Sequence, residues 1–332
     1  MTVKIAVNGL GRIGRCVVRA LIESRRDDIE LVAVNFRKDW EEKVHLLKYD
    51  STHGTFNADV SGNEDNLIIN GKKIAIFNES NPEDIAWSKA GVDVVLECTG
   101  VFKKHVDASK HLIGGAKKVL ISAPSPDPDS MIVYGVNNDV VKPDHKIISI
   151  GSCTTNCLAP VVKVLSDRIG IDKGFMTTIH AFTSDQNILD NNHRDLRRAR
   201  TATASMIPAS TGAAKALGII LPELAGKIDG TAVRVPIQNV SFVDLTFDAS
   251  KNTSVEEINN ALKEVSENEM KGVLGFNTDP LVSIDFNHST ESSVFDATQT
   301  YVVEDRFCRV AAWYDNEWGF SNRMLDIAAL VG

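Results

Sequence analysis

Apolar residues in the first half of the chain fall into two alternating patterns. Short continuous runs at residues 4–8, 30–35, 73–77, 92–97, 118–122, 131–136 and 147–150 have the length and apolar character of buried strands. Between some of them lie stretches with helical spacing. Residues 15–24 place Val17, Val18, Leu21 and Ile22 along one face, and residues 106–112 form a second, shorter stretch. Strand and helix signals in alternation predict an α/β architecture, a mostly parallel sheet covered on both faces.

The alternation changes character after residue 152. A helix is predicted at 158–169, followed by a strand at 175–179 that delivers His180 at its end. A loop-like stretch, 183–205, carries Arg194, Arg197, Arg198 and Arg200. Strands are predicted at 231–235, 240–247 and 307–313, and a closing helix at 319–330. Ser254 and Glu257 have capping-box spacing at the head of a helix whose apolar stripe is Ile258, Leu262 and Val265. This half reads as an α+β domain on an antiparallel sheet. The division expected is residues 1–151 and 152–316, with the last helix, 317–332, packing back onto the first domain.

Length and composition agree with that division. At 332 residues the chain exceeds the usual size of a single core. Its 43% apolar and 24% charged residues are those of an ordinary globular protein, and a net charge of −8 argues against dedicated nucleic-acid or membrane-surface binding. The five cysteines are scattered and odd in number, and residues 1–8 lack a signal-peptide pattern, so a reducing cytoplasm is the expected home. No apolar run approaches the roughly 18 residues of a spanning helix.

Two segments carry candidate chemistry. Asn8 leads into Gly9-Leu10-Gly11-Arg12-Ile13-Gly14 between the first strand and the first helix, the context a dinucleotide fingerprint requires. Gly9 would permit the tight turn, Gly11 the approach of a pyrophosphate, and Gly14 the packing of helix on strand. The acid that usually holds the ribose hydroxyls after the second strand is absent; Phe36-Arg37 stand there. Thr99-Gly100 and Ser122 follow later strands, where ligands of open sheets bind or ordinary turns form. The second segment is Ser152-Cys153-Thr154-Thr155-Asn156-Cys157, at a strand-to-helix junction. There Cys153 is either a small apolar core residue or a nucleophile biased toward thiolate by the helix N-terminus. Cys157, one turn deeper, reads as a buried support.

Five motifs decide between those readings: residues 8–15 (NGLGRIGR), 47–54 (LKYDSTHG), 152–160 (SCTTNCLAP), 195–200 (DLRRAR) and 313–319 (WYDNEWG). In order, and from end to end of the chain, they resemble phosphorylating glyceraldehyde-3-phosphate dehydrogenase. The resemblance implies a Rossmann-type dinucleotide-binding domain followed by a catalytic domain. It implies oxidation of glyceraldehyde 3-phosphate, with inorganic phosphate, to 1,3-bisphosphoglycerate through a cysteine thioester. Cys153 becomes the nucleophile and His180 its acid and base. Thr183 and Arg234 are assigned to one phosphate pocket, and Ser152, Thr154, Thr211 and Gly212 to the other, with Arg197 in the same region. Asn316 would orient the nicotinamide, and Arg12 and Ile13 would meet the pyrophosphate. The arginine-bearing loop would lie at a subunit interface of a homotetramer, and no metal is implied.

Alternatives from other classes remain open at this point. A thiol-dependent acyl transferase or hydrolase would use Cys153 and His180 without a redox step, but the fingerprint and Asn316 argue against it. RNA or protein binding by the basic loop is disfavoured by the acidic net charge. Erythrose-4-phosphate dehydrogenase is the nearest rival enzyme, and Thr183 and Thr211-Gly212 favour the triose substrate. The cofactor is NAD or NADP. Phe36 and Arg37, together with Asn191-Asn192 where NAD-using relatives carry Leu-Pro, lean the expectation toward NADP.

Overall fold

The computed structural model describes residues 2–37 and 39–332, and the chain divides into two compact units. The first runs to Tyr134, takes up Asn138–Ser152 and ends with Ser321–Gly332; the second consists of Gly135–Asn137 and Cys153–Phe320.

The first unit is built on a sheet of nine strands. Their order is Ser130–Met131, Ile147–Ser149, Lys118–Ile121, Val94–Glu97, Val3–Asn8, Ile29–Asn35, Lys72–Phe77, Asn66–Ile69 and Val60–Gly62. The first seven pair in parallel and the last two add an antiparallel edge. Val94–Glu97 is buried at every position and Val3–Asn8 at all but one, which is why these strands read as continuous apolar runs rather than as alternation. The chain steps outward from Val3–Asn8 through Ile29–Asn35, then returns to the opposite side of Val3–Asn8 with Val94–Glu97. Strand order therefore reverses between these two, and the crevice outside their carboxyl ends is where ligands of such sheets bind.

Three expectations change in this unit. The first helix is Arg12–Ser24, not 15–24, so Arg12, Ile13 and Gly14 form its first turn. The run at 131–136 is a strand only at Ser130–Met131; the chain then turns through Gly135, whose φ of +82° suits glycine. Residues 106–112 form two short turns of helix, His105–Ala108 and Lys110–Ile113, instead of one stretch.

The second unit has eight strands. Seven run in the order Ile207–Ser210, Ile228–Val235, Ile171–Ala181, Ser241–Ala249, Phe307–Tyr314, Ser293–Asp296 and Leu274–Asn277, and Tyr301–Val303 also pairs with Phe307–Tyr314. Most pairs are antiparallel, as expected. Two are parallel: Ile171–Ala181 with Ile228–Val235, and Leu274–Asn277 with Ser293–Asp296. The first of these sets His180 directly opposite Arg234. The helix expected at 158–169 begins five residues earlier and runs Cys153–Arg168, with Thr154–Val162 all buried. On the sheet, Met176, Thr178 and His180 share a buried face with Ser241 and Tyr314. At the Val255–Glu267 helix, Ser254 Oγ accepts the Glu257 N–H as the spacing predicted. The reciprocal half of the box is replaced, because the Glu257 carboxylate takes Thr253 Oγ1 and Lys251 Nζ. No helix among the described residues is long and apolar enough to cross a membrane.

Candidate active site

In the first unit the glycines act as their spacing suggested, each for a separate reason. Gly9 has φ +95°, and a Cβ there would meet Thr99 at 2.9 Å. A Cβ on Gly14 would stand 2.0 Å from the Gly9 carbonyl oxygen, so helix and strand pack too closely for any side chain. Gly11 has open space where its Cβ would be. It heads a helix that lacks both a side-chain cap and an acidic residue in its first turn, which leaves backbone N–H donors for an anion. Arg12 beside it forks onto Asp50 at 2.5 and 3.0 Å. Burial pushes the Asp50 carboxyl up, but Arg12 and the His53 and Thr52 N–H groups outweigh it and hold the group at about 2.

A cavity of about 310 Å³ opens at these strand ends, bordered by Asn8, Gly9, Phe36, Arg37, Glu79 and Thr99 among others. Phe36 is buried and offers no acceptor to a ribose. The Arg37 side chain is exposed at the rim and has no partner among the described residues. Gly100, with φ +72°, follows Thr99, and the Ser122 hydroxyl bonds the Cys98 thiol.

Beneath the cavity lies a buried polar chain that sequence reading did not anticipate. Glu97 Oε2 accepts from Asn8 Nδ2 at 2.5 Å and from His111 Nε2 at 3.0 Å, while Oε1 takes both the Thr99 N–H and the Thr99 hydroxyl. Trp87 Nε1, a donor only, faces His111 Nδ1 at 3.0 Å, so His111 carries its hydrogen on Nε2. Asn35 donates to Asn8 Oδ1 and clamps the Glu79 backbone through both its N–H and its carbonyl. The Asn8 side chain is thus a prop for the Gly9 turn. The apolar run that ends in Glu97 could have signalled this chain, because a carboxylate completing a buried strand needs partners.

In the second unit the Cys153–Arg168 helix and the strand ending at Ala181 bring Cys153 and His180 together, with Sγ 3.5 Å from Nε2. His180 Nδ1 lies 2.7 Å from the Ala181 carbonyl oxygen. Donation from Nδ1 to that oxygen would leave Nε2 as an acceptor facing the thiol, the tautomer a general base needs, whereas acceptance from Arg234 Nη1 would place the hydrogen on Nε2. Arg234 Nη1 also donates to Ala181 O and sits 2.9 Å from Nδ1. Burial pushes the Cys153 thiol up, while Arg234 and Thr154 pull it partway back. Burial and the Arg234 charge hold His180 down at about 3. The resting pair is therefore a thiol and a neutral imidazole. The helix start alone had suggested a thiolate; desolvation of this half-buried thiol works against that bias. Cys157 is buried, bonds Ser293 Oγ at 3.4 Å, and is raised by burial to about 12.

The phosphate candidates separate into groups. Arg234 is placed beside His180, and its buried Nε has no partner, a donor directed at nothing within the protein. Thr183 Oγ1 accepts from the Asp185 N–H at 3.4 Å. Thr211 Oγ1 accepts the Ala213 N–H, the first of the Ala213–Ile220 helix, whose N-cap residue Gly212 has no side chain to contribute. Thr154 is buried, with Oγ1 2.9 Å from the Tyr314 hydroxyl. Ser152 belongs to the first unit. Arg197 is exposed, whereas its neighbour Arg198 turns inward onto Asp185 and the Ser210 carbonyl. Asn316 is buried, and its Oδ1 accepts from Ser241 Oγ at 2.8 Å, so its NH2 is the group left to donate.

Tyr314, Asp315 and Ser241 were not singled out from sequence. The Tyr314 hydroxyl bridges Thr154 and Thr178, and its ring meets His180 edge to face at 5.8 Å. Asp315 Oδ1 accepts the Glu317 and Trp318 N–H groups at the head of the last helix, and Oδ2 accepts from Asn239 and the His288 N–H. Both belong to the 313–319 motif, which carried the signal without assigning the roles.

Comparison with known proteins accounts for this arrangement. The family profile described as "Glyceraldehyde 3-phosphate dehydrogenase, NAD binding domain" matches residues 3–105, and the one described as "Glyceraldehyde 3-phosphate dehydrogenase, C-terminal domain" matches residues 152–316. A protein named glyceraldehyde-3-phosphate dehydrogenase from Xanthobacter flavus is 54% identical over 332 residues, covering 100% of this chain and 99% of that protein. One of the same name from Geobacillus stearothermophilus is 53% identical, covering 100% and 98%. The chromosomal form from Cupriavidus necator is 55% identical over 333 residues, covering 100% and 99%. With both family domains present in order, and identity above half along its whole length, the chain belongs to the glyceraldehyde-3-phosphate dehydrogenase family.

Proposed function

We propose that the chain oxidises glyceraldehyde 3-phosphate, with inorganic phosphate and a nicotinamide dinucleotide, to 1,3-bisphosphoglycerate through a thioester on Cys153. The observation that carries this reading is Cys153 Sγ facing His180 Nε2, with Arg234 alongside, in a chain of this family. His180 Nε2 takes the thiol proton as Sγ bonds the aldehyde carbon. It returns that proton to the carbonyl oxygen, giving the hemithioacetal hydroxyl, and takes it back as the carbon is oxidised. A bound nicotinamide dinucleotide supplies the acceptor for the hydride. Phosphate attack on the thioester expels the Cys153 thiolate, which is reprotonated. Arg234 Nε, buried and unpartnered, is a ready donor for an anionic oxygen, and Thr183 is the hydroxyl assigned with it. Ser152, Thr154, Thr211, Gly212 and Arg197 make up the second anion site in this reading. The names of the relatives weigh against the erythrose 4-phosphate alternative.

The cofactor is a nicotinamide dinucleotide, and the residues present fit one. The open Gly11 cradle and the uncapped first helix suit a pyrophosphate, with Arg12 and Ile13 beside it, and the Asn316 amide suits a carboxamide. In this reading residues 1–151, with the closing helix, bind the cofactor and 152–316 carry the chemistry. Use of both cofactors with a lean to NADP rests on the buried Phe36, the unpartnered Arg37 and the polar Asn191-Asn192 pair. A homotetramer is supported by the apolar side chains that the 183–206 segment exposes, Ile188, Leu189, Leu196 and Met206. The cytoplasm is its proposed location.

The experiment replaces Cys153 with Ser. Aldehyde oxidation should fall by roughly a thousandfold or more while cofactor affinity is kept, whereas Cys157→Ser should retain substantial activity. Turnover in Cys153→Ser close to that of the wild type would remove the thioester route.

A further inference from the structure

We infer that Ser241 is a positioning residue that fixes the orientation of the Asn316 amide and ties it to the His180 strand. This rests on the reading of Asn316 as the residue that meets the nicotinamide carboxamide.

Ser241 is the first residue of its strand and is 1% exposed. Its hydroxyl makes two hydrogen bonds, accepting the Ala181 N–H at 3.0 Å and donating to Asn316 Oδ1 at 2.8 Å. An asparagine amide has two chemically distinct ends, and rotation by half a turn exchanges acceptor for donor. The backbone N–H of Ala181 can only donate, so it occupies the acceptor side of Ser241 Oγ. The hydroxyl hydrogen is left for Asn316 Oδ1; a reversed amide would bring its NH2 to the second lone pair of Oγ and strand that hydrogen in a buried place. The NH2 of Asn316 then points away as a donor for a carbonyl. The Ser241 hydroxyl thus favours one orientation of the Asn316 amide. Ala181 belongs to the same strand as His180, and its carbonyl receives His180 Nδ1 and Arg234 Nη1. One residue, Ala181, therefore links the base, the arginine and the amide.

The backbone around Ser241 is held in an unusual form. Val240, immediately before it, has φ +66° and is 1% exposed. A β-branched side chain rarely adopts that conformation, and it persists only where surrounding contacts over-determine it. Those contacts are present. On one side Asn239 Nδ2 donates to Asp315 Oδ2 and to Asn287 Oδ1; on the other Ser241 stands in register with Tyr314. The strained residue thus sits between two ties to the segment 314–316. Strain at this point brings the Ser241 hydroxyl to Asn316 rather than leaving it one residue out of phase on the opposite face of the strand.

The test compares ligands that contain the nicotinamide with ligands that lack it, using the full-length protein and the variants Ser241→Ala, Ser241→Cys and Asn316→Ala. Calorimetry gives Kd for NADH and ADP-ribose, and for NADPH and 2′-phospho-ADP-ribose. Transfer from a C1-deuterated aldehyde gives the face of the nicotinamide that is labelled. Ser241→Ala should raise Kd for NADH and NADPH about five- to tenfold, leave the nicotinamide-free ligands within about twofold, and place a measurable fraction of deuterium on the opposite face. Ser241→Cys, which keeps a weak donor, should fall between wild type and Ser241→Ala. Equal weakening of both ligand classes, or of neither, in the folded Ser241 variants would overturn the proposal. If Asn316→Ala fails to weaken the nicotinamide-containing ligands selectively, the assignment of Asn316 itself falls. If it does so while Ser241→Ala and Ser241→Cys do not, only the role of Ser241 is lost.

Discussion

His180 carries a pH signature that follows from its burial. An ordinary histidine titrates near 6.5, whereas here desolvation and the Arg234 charge hold the group down at about 3. Between those values the unfolded chain binds one more proton than the folded one. The stability contributed by the neutral ring is full above about pH 6.5 and is lost as pH falls toward 3. Urea midpoints from pH 7 down to 4 should therefore drop more steeply for wild type than for His180→Gln, and parallel curves would contradict the buried neutral ring. The residues themselves were unequally legible. Cys153 and His180 could be named from local motifs, and their separation fits the chemistry assigned to them. The protonation of the pair could not, because desolvation depends on what surrounds the sulfur and the ring, and that is supplied by residues far away in the chain. Ser241 and Tyr314 were invisible for the same reason: a serine at the head of a strand and a tyrosine near the end of another carry no mark of what they touch.

The glycine turn was the most readable element, since Gly9 and Gly14 each answer a backbone requirement. Helix starts were less readable. Arg12–Ser24 and Cys153–Arg168 both begin before the first residue of their apolar stripes, because the first turn needs no apolar face where its N–H groups are offered to a ligand. Cofactor choice belongs to this scale, because it is decided where the strand ending at Asn35 meets the cavity. Phe36 carries no side-chain acceptor, and Arg37, without a partner among the described residues, is the guanidinium proposed to meet a 2′-phosphate. Measured side by side, wild-type kcat/KM should be comparable for the two cofactors or higher with NADP. In the Phe36→Asp, Arg37→Leu double variant the NADP/NAD ratio should fall by roughly tenfold or more. A wild type with strong preference for NAD, or a ratio that does not move, would show that these residues do not read the 2′ position.

Assembly is the matter left to the whole molecule. The chain has a mass of 36.2 kDa, and Ile188, Leu189, Leu196 and Met206 stand 65–83% exposed along one segment, the apolar side chains on which the proposed assembly rests. Sedimentation should return about four times the mass of one chain, and Leu196→Asp should shift the population toward smaller species; a monomer at micromolar concentration would refute the tetramer. The sequence by itself determined the alternating architecture of the first unit, the glycine turn and the family. Each of these is written in short contiguous segments whose physics is local: apolar period, backbone φ, and the chemistry of a single side chain. Only the tertiary structure decided the rest. The parallel pairing that sets Arg234 beside His180, the Trp87–His111–Glu97–Asn8–Asn35 chain under the cavity, and the Val240–Ser241 link to Asn316 each join residues dozens of positions apart in sequence. Such contacts arise from sheet register and burial, and no local segment encodes which distant partner a polar atom will find.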